Sequence, residues 1–274
     1  MISSYKINKD CTVKEFLESN HLSKQYINKL VSLKAISDSE NYLKENDSIK
    51  KGKIIYINYS LLEENNIKGF DFDIDVIYED TEIIAVEKPR GILVHSDGDN
   101  DETMLNAVSH YLYQNGEDSC VRCLHRIDVD TTGILLFSKN ILSYSLINYQ
   151  IENLKMVKEY IALVEGVITN GGFVDIPIGR DRHNSKKSIA IKTGKPAYTK
   201  YEVLETYNNK TLLKVSITTG RTHQIRVHMA YIKHPIVGDS LYGKAGKLML
   251  HFNKAQFMMF DGLKTIISKK KVGE

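Results

Sequence analysis

Two hydrophobic rhythms divide the chain. Up to about residue 60 the apolar stretches are short and partly helix-spaced. Thr12-Val13-Lys14-Glu15-Phe16-Leu17 predicts a helix start, with Thr12 as N-cap and Glu15 completing a capping box. Across 23–31, Tyr26, Ile27, Leu30 and Val31 share one face while Lys24 and Lys29 point elsewhere, which predicts a second helix. Residues 47–53 read as a turn and 54–59 as a strand. Residues 61–70 are polar and aperiodic, and predict a linker.

Beyond the linker, strands dominate. Residues 76–80 and 83–89 predict a hairpin that Pro89 ends, since proline has no N–H for a ladder. A helix follows over 103–114, where Leu105, Val108, Tyr111 and Leu112 share a face and Asn115-Gly116 stops it. Ile134-Leu135-Leu136-Phe137 is an uncharged, branched and aromatic run, which predicts a buried strand. Then come a helix over 141–151, a strand over 160–166, and a long strand through Val203 with an antiparallel neighbour over 212–218. Residues 220–228 predict a helix opening with Thr222 as N-cap, and 234–239 a tight loop. The pattern gives a two-domain α+β protein: a small unit over 1–60, a linker over 61–70, and a large domain over 71–274.

Composition narrows the function. The 42% hydrophobic content supplies a core, and no apolar run approaches the roughly 20 residues that span a bilayer. The N-terminus lacks the apolar stretch of a signal peptide, so a cytoplasmic protein that engages no membrane is expected. Three cysteines do not make a disulfide framework. Cys120 and Cys123, with His125 just beyond, have no second cysteine pair, and no phosphate loop or dinucleotide fingerprint occurs. No metal and no cofactor is therefore expected. A net charge of +3 excludes indiscriminate coating of nucleic acid but permits a local basic surface. Only seven of the 37 basic residues are Arg, all after position 89. In a lysine-rich chain they mark places that need a planar, bidentate donor.

Chemistry gathers around His125-Arg126-Ile127-Asp128-Val129-Asp130-Thr131-Thr132-Gly133, at the mouth of the predicted buried strand. Polar groups there are held by a rigid scaffold. Asp128 and the distant Arg221 and Arg226 are candidates for pairing in the fold, where a bidentate arginine orients a carboxylate; the alternative is a structural salt bridge. Asp130 is expected to cap the following turn. Residues 179–187 read as a basic loop without an apolar anchor, suited to phosphates or simply solvated.

At this point the chain resembles the RluA-type pseudouridine synthases over 72–253. The resemblance rests on Glu87-Lys88-Pro89-Arg90-Gly91, the 125–133 stretch, Lys158-Glu159-Tyr160-Ile161-Ala162-Leu163-Val164-Glu165-Gly166, Pro177-Ile178-Gly179-Arg180, and Gly220-Arg221-Thr222-His223-Gln224-Ile225-Arg226-Val227-His228 with 234–239 behind it. It implies a mostly antiparallel mixed sheet with a central cleft. It implies isomerisation of uridine to pseudouridine in structured RNA, ribosomal ahead of transfer RNA; a monomer is expected. Asp128 matches the catalytic aspartate, Tyr160 the active-site tyrosine, Arg226 the arginine that pairs with the aspartate, and Ile225 the apolar residue under the base. Arg126 matches a motif arginine thought to help open the RNA and fill the vacated place. His125 and Arg221 fall in the same substrate motifs, and Arg180, Arg182, Lys186 and Lys187 would meet phosphates. Val129 and Thr132 depart from the usual pattern without removing a reacting group. The first 60 residues resemble an S4-type RNA-binding domain, with a departure at Ser37-Asp38-Ser39-Glu40-Asn41. Two other classes stay open: a catalytically silent RNA-binding protein on the same fold, and a hydrolase that uses Asp128 and Asp130 from one face of an extended segment.

Overall fold

Thr12 caps the first helix, and Glu15 accepts the Thr12 N–H in return at 2.7 Å. The computed structural model describes residues 1–62, 64–96, 98, 101–117 and 119–274, so Glu63 of the predicted linker lies outside the described residues. The N-terminal unit runs β1 (Ile2–Lys6), β2 (Cys11–Thr12), α1 (Val13–Ser19), α2 (Lys24–Ser32), β3 (Ile36–Ser37), β4 (Ser48–Ile49) and β5 (Ile54–Asn58). β1, β5 and β3 form an antiparallel sheet, and β2 pairs with β4. Ser48 and Ile49, expected within a turn, are thus strand residues, and Ile49 is buried in the core of this unit.

The large domain runs β6 (Asp75–Glu79), β7 (Ile83–Lys88), α3 (Met104–Gln114), β8 (Arg122–Cys123), β9 (Thr132–Ser138), α4 (Ile141–Glu152), β10 (Val157–Glu165), β11 (Gly172–Asp175), β12 (Ile178–Arg180), β13 (Ser188–Ala190), β14 (Tyr198–Tyr207), β15 (Lys210–Ile217), α5 (Gln224–Tyr231), β16 (Leu250–Met259) and β17 (Gly262–Ile267). One ten-stranded sheet has the order β11-β14-β15-β10-β16-β9-β7-β6, with β17 on β16 and β8 on β9. Every pairing is antiparallel except β9 with β16. This is the mixed, mostly antiparallel α+β sheet that the resemblance implied. The apolar run is continuous because β9 is buried on both faces: Ile134 and Leu136 join one core cluster, Leu135 and Phe137 another.

The two units share a core. Ile141 and Leu142 of α4 pack into the N-terminal cluster beside Leu17 and Leu30. Tyr5 donates to Glu82 at 3.0 Å, and the Tyr5 and Tyr59 hydroxyls are 2.7 Å apart. Asn140 also donates to Glu82, at 2.9 Å. The expected linker is divided: Leu61 ends a short turn and Leu62 is buried in the N-terminal cluster, while the later part meets α3, where Asn65 donates to Ser109 at 3.0 Å and the Phe70 N–H to the Asn106 carbonyl at 3.3 Å.

Two expectations need correction. Thr222 does not cap α5: His223 holds the N-cap position with φ 58°, and Gln224 reaches back to accept the Arg221 N–H at 3.0 Å. Residues 179–187 are not an unanchored loop. They form the tip of the β12–β13 hairpin, fixed from below by buried Ile178 against Ala197 and Val227.

Candidate active site

The three middle strands of the sheet carry the site. Asp128 sits on the loop before β9, Tyr160 on β10 and Phe252 on β16, and α5 brings Arg226 over them. Gly133, at φ +111°, permits the close approach of β9 to β16, because a Cβ there would collide with the backbone of Phe252. Tyr160 and Phe252 face each other across the β10–β16 pairing and stack with centroids 4.6 Å apart and rings 12° from parallel. Burial, and then the Asp128 charge, push the Tyr160 phenol up from its ordinary value, so it stays protonated at neutral pH.

The Asp128 loop is held from beneath. Lys88 is fully buried, and its ammonium donates to the carbonyls of Pro89 at 2.8 Å, Val129 at 2.9 Å and Thr131 at 3.1 Å. The Gly91 N–H also donates to Val129, at 2.8 Å. Burial brings Lys88 down to about 8, against the opposing pull of the Asp130 and Asp128 charges. The Thr131 N–H donates to the Asp128 carbonyl at 3.0 Å, closing a turn. Asp128 and Asp130 therefore do not lie on an extended segment, which removes the geometric basis of the paired-carboxylate hydrolase. The Asp130 carboxylate accepts no hydrogen bond among the described residues, so its expected capping role is corrected too.

Arg226 joins Asp128 to a second acid. Its Nη1 donates to Asp128 Oδ2 at 2.9 Å, while Nε and Nη2 form a fork on Asp239 at 2.9 Å each. The two parallel bonds expected on Asp128 thus fall on Asp239, which is fully buried. Burial alone would raise the Asp239 carboxyl; the Arg226 bonds and charge, with the Leu241 and Tyr242 N–H groups, hold it below its usual value. The same two acids overcome the burial of Arg226 and raise its guanidinium further, so it stays charged. Asp128 is a quarter exposed, and its Oδ1 makes no hydrogen bond among the described residues.

His223 faces Asp128 from the start of α5, with Nε2 3.8 Å from Oδ2 and Nδ1 2.9 Å from the Tyr242 hydroxyl. Burial lowers its pKa against the pull of Asp128. Tyr242 ties this corner to the basic hairpin, taking the Ser188 N–H at 2.9 Å and donating to the Ser188 carbonyl at 3.0 Å.

The expected site residues divide into groups. Asp128, Tyr160, Arg226 and Ile225 converge, with Ile225 buried in the cluster that holds Tyr160 and Phe252. Arg221 sits at the foot of α5, its Nε on the Pro196 carbonyl at 3.0 Å. Arg126 is exposed, 3.5 Å from His95. His125 is turned inward: its Nε2 lies 3.3 Å from the Leu136 N–H, its ring is edge-on to Phe252, and burial brings it down to about 3. Arg180, Arg182 and Lys186 are exposed on the hairpin, and Lys187 lies 5.7 Å from the Tyr242 ring centroid. Lys88, His223, Asp239 and Tyr242 were missed as site residues. The signal for Asp239 was present in Gly238-Asp239: Gly238 has φ +79°, and no side chain fits there against Lys247. The Cys123 thiol donates to the His125 carbonyl at 2.8 Å, and among the described residues no group of three or more His, Cys, Asp or Glu is placed to hold a metal ion. No helix among them is long and apolar enough to cross a membrane.

Residues 82–231 match the family described as RNA pseudouridylate synthase. The chain is 34% identical over 242 residues to the uncharacterized RNA pseudouridine synthase YhcT of Bacillus subtilis, covering 85% of this chain and 80% of that one. It is 37% identical over 201 residues to ribosomal large subunit pseudouridine synthase D of Escherichia coli (strain K12), covering 73% of this chain but only 62% of that relative. The fold is similar to that of human RNA pseudouridylate synthase domain containing 1, with a TM-score of 0.64 at 21% identity over 74% of this chain and 85% of that one. The chain therefore belongs to the RNA pseudouridylate synthase family, as an RluA-type member, and is a pseudouridine synthase acting on uridine in RNA.

Proposed function

We propose that this protein isomerises a uridine of large-subunit ribosomal RNA, with Asp128 as the group that acts on the sugar. The observation that carries this is the Asp128 carboxylate, oriented through one oxygen by a buried arginine and with its other oxygen uncommitted beside Tyr160. The target leaves its stack, because a glycosidic bond inside a helix is out of reach. The N1–C1′ bond breaks, the uracil turns, C5 bonds to C1′, and the C5 hydrogen departs as a proton. Asp128 serves either by attacking C1′ or by stabilising cationic character there while a C2′ proton moves; both need a carboxylate. Tyr160, backed by Phe252, offers the flat surface for the base, with Ile225 beneath it. Arg126 enters the space the base vacates, and the β12–β13 hairpin meets phosphates through Arg180, Arg182, Lys186 and Lys187.

The N-terminal unit, over 1–60, acts as an S4-type RNA-binding domain, supported by its two helices packed on a small sheet and by exposed Lys24 and Lys51. The named target of the Escherichia coli relative supports ribosomal RNA as substrate. Pseudouridine mapping of total RNA with and without the gene tests the assignment: one or more large-subunit positions should revert to uridine, and no change in ribosomal RNA overturns it. Charge reversal at Lys24 and Lys51 should lower the salt dependence of RNA binding; an unchanged slope removes the N-terminal unit from the interface.

A further inference from the structure

Lys158 lies two residues before Tyr160 on β10, so both side chains leave the same face of the sheet. It is 7% exposed. Among the described residues its ammonium has neither a hydrogen bond nor a carboxylate within ion-pair distance. The stem is buried, but Nζ is not among the solvent-sealed atoms that lack a partner, so the ammonium opens toward solvent, where a partly desolvated cation favours an anion that docks on it. The end of the side chain is located by Gly220, whose Cβ position lies 3.6 Å from Lys158 Nζ. Gly220 begins the turn into α5, and Arg221 follows. Arg221 commits its Nε to Pro196, and no bond from its two terminal nitrogens is present among the described residues. Two cations therefore lie within electrostatic reach of each other, with no carboxylate bonded to either among the described residues. Burial first, and the Arg221 charge second, lower the Lys158 pKa. His125 also feels this charge, which helps keep it neutral.

We infer that Lys158 and Arg221 form a phosphate subsite that grips one of the two backbone phosphates flanking the target uridine, pinning the strand while the base lies against Tyr160. This rests on the pseudouridine synthase reading above, and deepens it by naming where the strand is held. A compact ammonium and a planar guanidinium together suit a phosphodiester, whose two free oxygens accept from both. The orphan ammonium belongs to the RNA-bound state, where its charge is neutralised.

The prediction has two opposed signs. Lys158→Met keeps the length of the side chain and removes the buried charge. Melting temperature should stay equal or rise, while RNA affinity falls about 10-fold and the salt slope drops by about one. A lysine that served only the fold would not separate the two. Arg221→Gln, at a half-buried position, should weaken RNA binding in the same direction. The decisive test is a cycle with RNA neutralised one phosphate at a time by methylphosphonate, each compared with the same 2′-O-methyl sugar bearing an ordinary phosphate. At one flanking phosphate the wild type should lose about as much affinity as Lys158→Met, and the variant should lose nothing more. Equal further losses by the variant at every position, or unchanged affinity of Lys158→Met, overturns the subsite. The parent all-ribose RNA is a large-subunit ribosomal fragment assayed for conversion by the wild type beforehand, so absence of any conversion counts against the functional reading, and absence of coupling against the subsite alone.

Discussion

Two of the buried acid clusters in the molecule are handled in opposite ways. At the active site, Asp128 and Asp239 surround Arg226, and a permanent cation keeps charge in the site. At the junction of the two units, Glu82 is surrounded by Tyr5, Asn140 and, through Tyr5, Tyr59, all neutral donors. Burial raises Glu82 from its usual value and drives Tyr5 and Tyr59 well above theirs. The partner decides the outcome: a guanidinium preserves ionisation, while hydroxyls and amides satisfy hydrogen bonds and let burial win. One cluster is built to carry charge for chemistry, the other to join two units.

The largest effects should come from breaking the charged cluster. Asp128→Asn keeps shape and hydrogen bonding but not charge, and should lower turnover by on the order of 10³-fold or more with little change in melting. Release of the C5 hydrogen from labelled RNA reads this, and turnover near wild type would remove Asp128 from the mechanism. Arg226→Lys should lose on the order of 10²-fold, because one ammonium cannot form the fork on Asp239 and also reach Asp128. Asp239→Asn never touches substrate in this geometry, yet should destabilise by about 3 kcal/mol by leaving Arg226 half-paired. Its pH dependence follows from its depressed carboxyl: its contribution is present above the unfolded value and is lost as pH falls through the folded one.

A middle-sized effect should come from Lys88, which separates stability from activity. Its folded value of about 8 lies below the ordinary lysine value, so the folded protein sheds that proton first. Between about 8 and the unfolded value, this lysine makes stability rise with pH. The neutral amine has only two N–H donors for three carbonyls, so the Asp128 loop loses one anchor. Turnover should therefore fall above pH 8 while the melting temperature does not fall with it, as parallel activity and melting curves would reveal. The joint should respond less. Glu82→Gln keeps an acceptor for Tyr5, and should change stability at neutral pH by less than about 1 kcal/mol. Because Glu82 is raised, its protonation favours the fold as pH drops, opposite in sign to Asp239. The variant should remove that acid-side contribution; an unaltered acid limb would mean Glu82 does not titrate in the joint.

The two clusters also differ in how far the sequence exposed them. The apolar run at Ile134–Phe137, the capping box at Thr12 and the motif residues Asp128, Tyr160 and Arg226 were legible because local pattern or a resemblance carried them. Asp239 was in view as part of a tight loop, but only the fold places it 2.9 Å from two nitrogens of Arg226. The joint was invisible: Tyr5 and Glu82 are 77 residues apart, and neither stands in a pattern that demands the other. Lys158 stands within one of the motifs, yet a lysine in a strand reads as solvent-facing until its neighbours are known. Helix starts failed where tertiary bonds override local capping, as at His223.

The smallest expected effect tests the boundary of the charged cluster. Asp130 stands two residues from Asp128 on the same loop and carries the same charge, so chemistry alone does not separate them. Geometry does. Asp128 accepts from Arg226, whereas the Asp130 carboxylate accepts no hydrogen bond among the described residues. Its role is electrostatic: of the charges that help keep Lys88 protonated, that of Asp130 is the strongest. Asp130→Asn should therefore cost less than about 0.5 kcal/mol, below the scale of a lost cap, and should retain turnover at pH 7. With that charge gone, Lys88 should lose its proton more easily, and the alkaline fall in turnover should begin at lower pH than in the wild type. The full pH–rate profile of the variant reads both ends. A loss at pH 7 as deep as that of Asp128→Asn would bring Asp130 into the reaction itself, and an unmoved alkaline limb would show that Lys88 is not the group behind it.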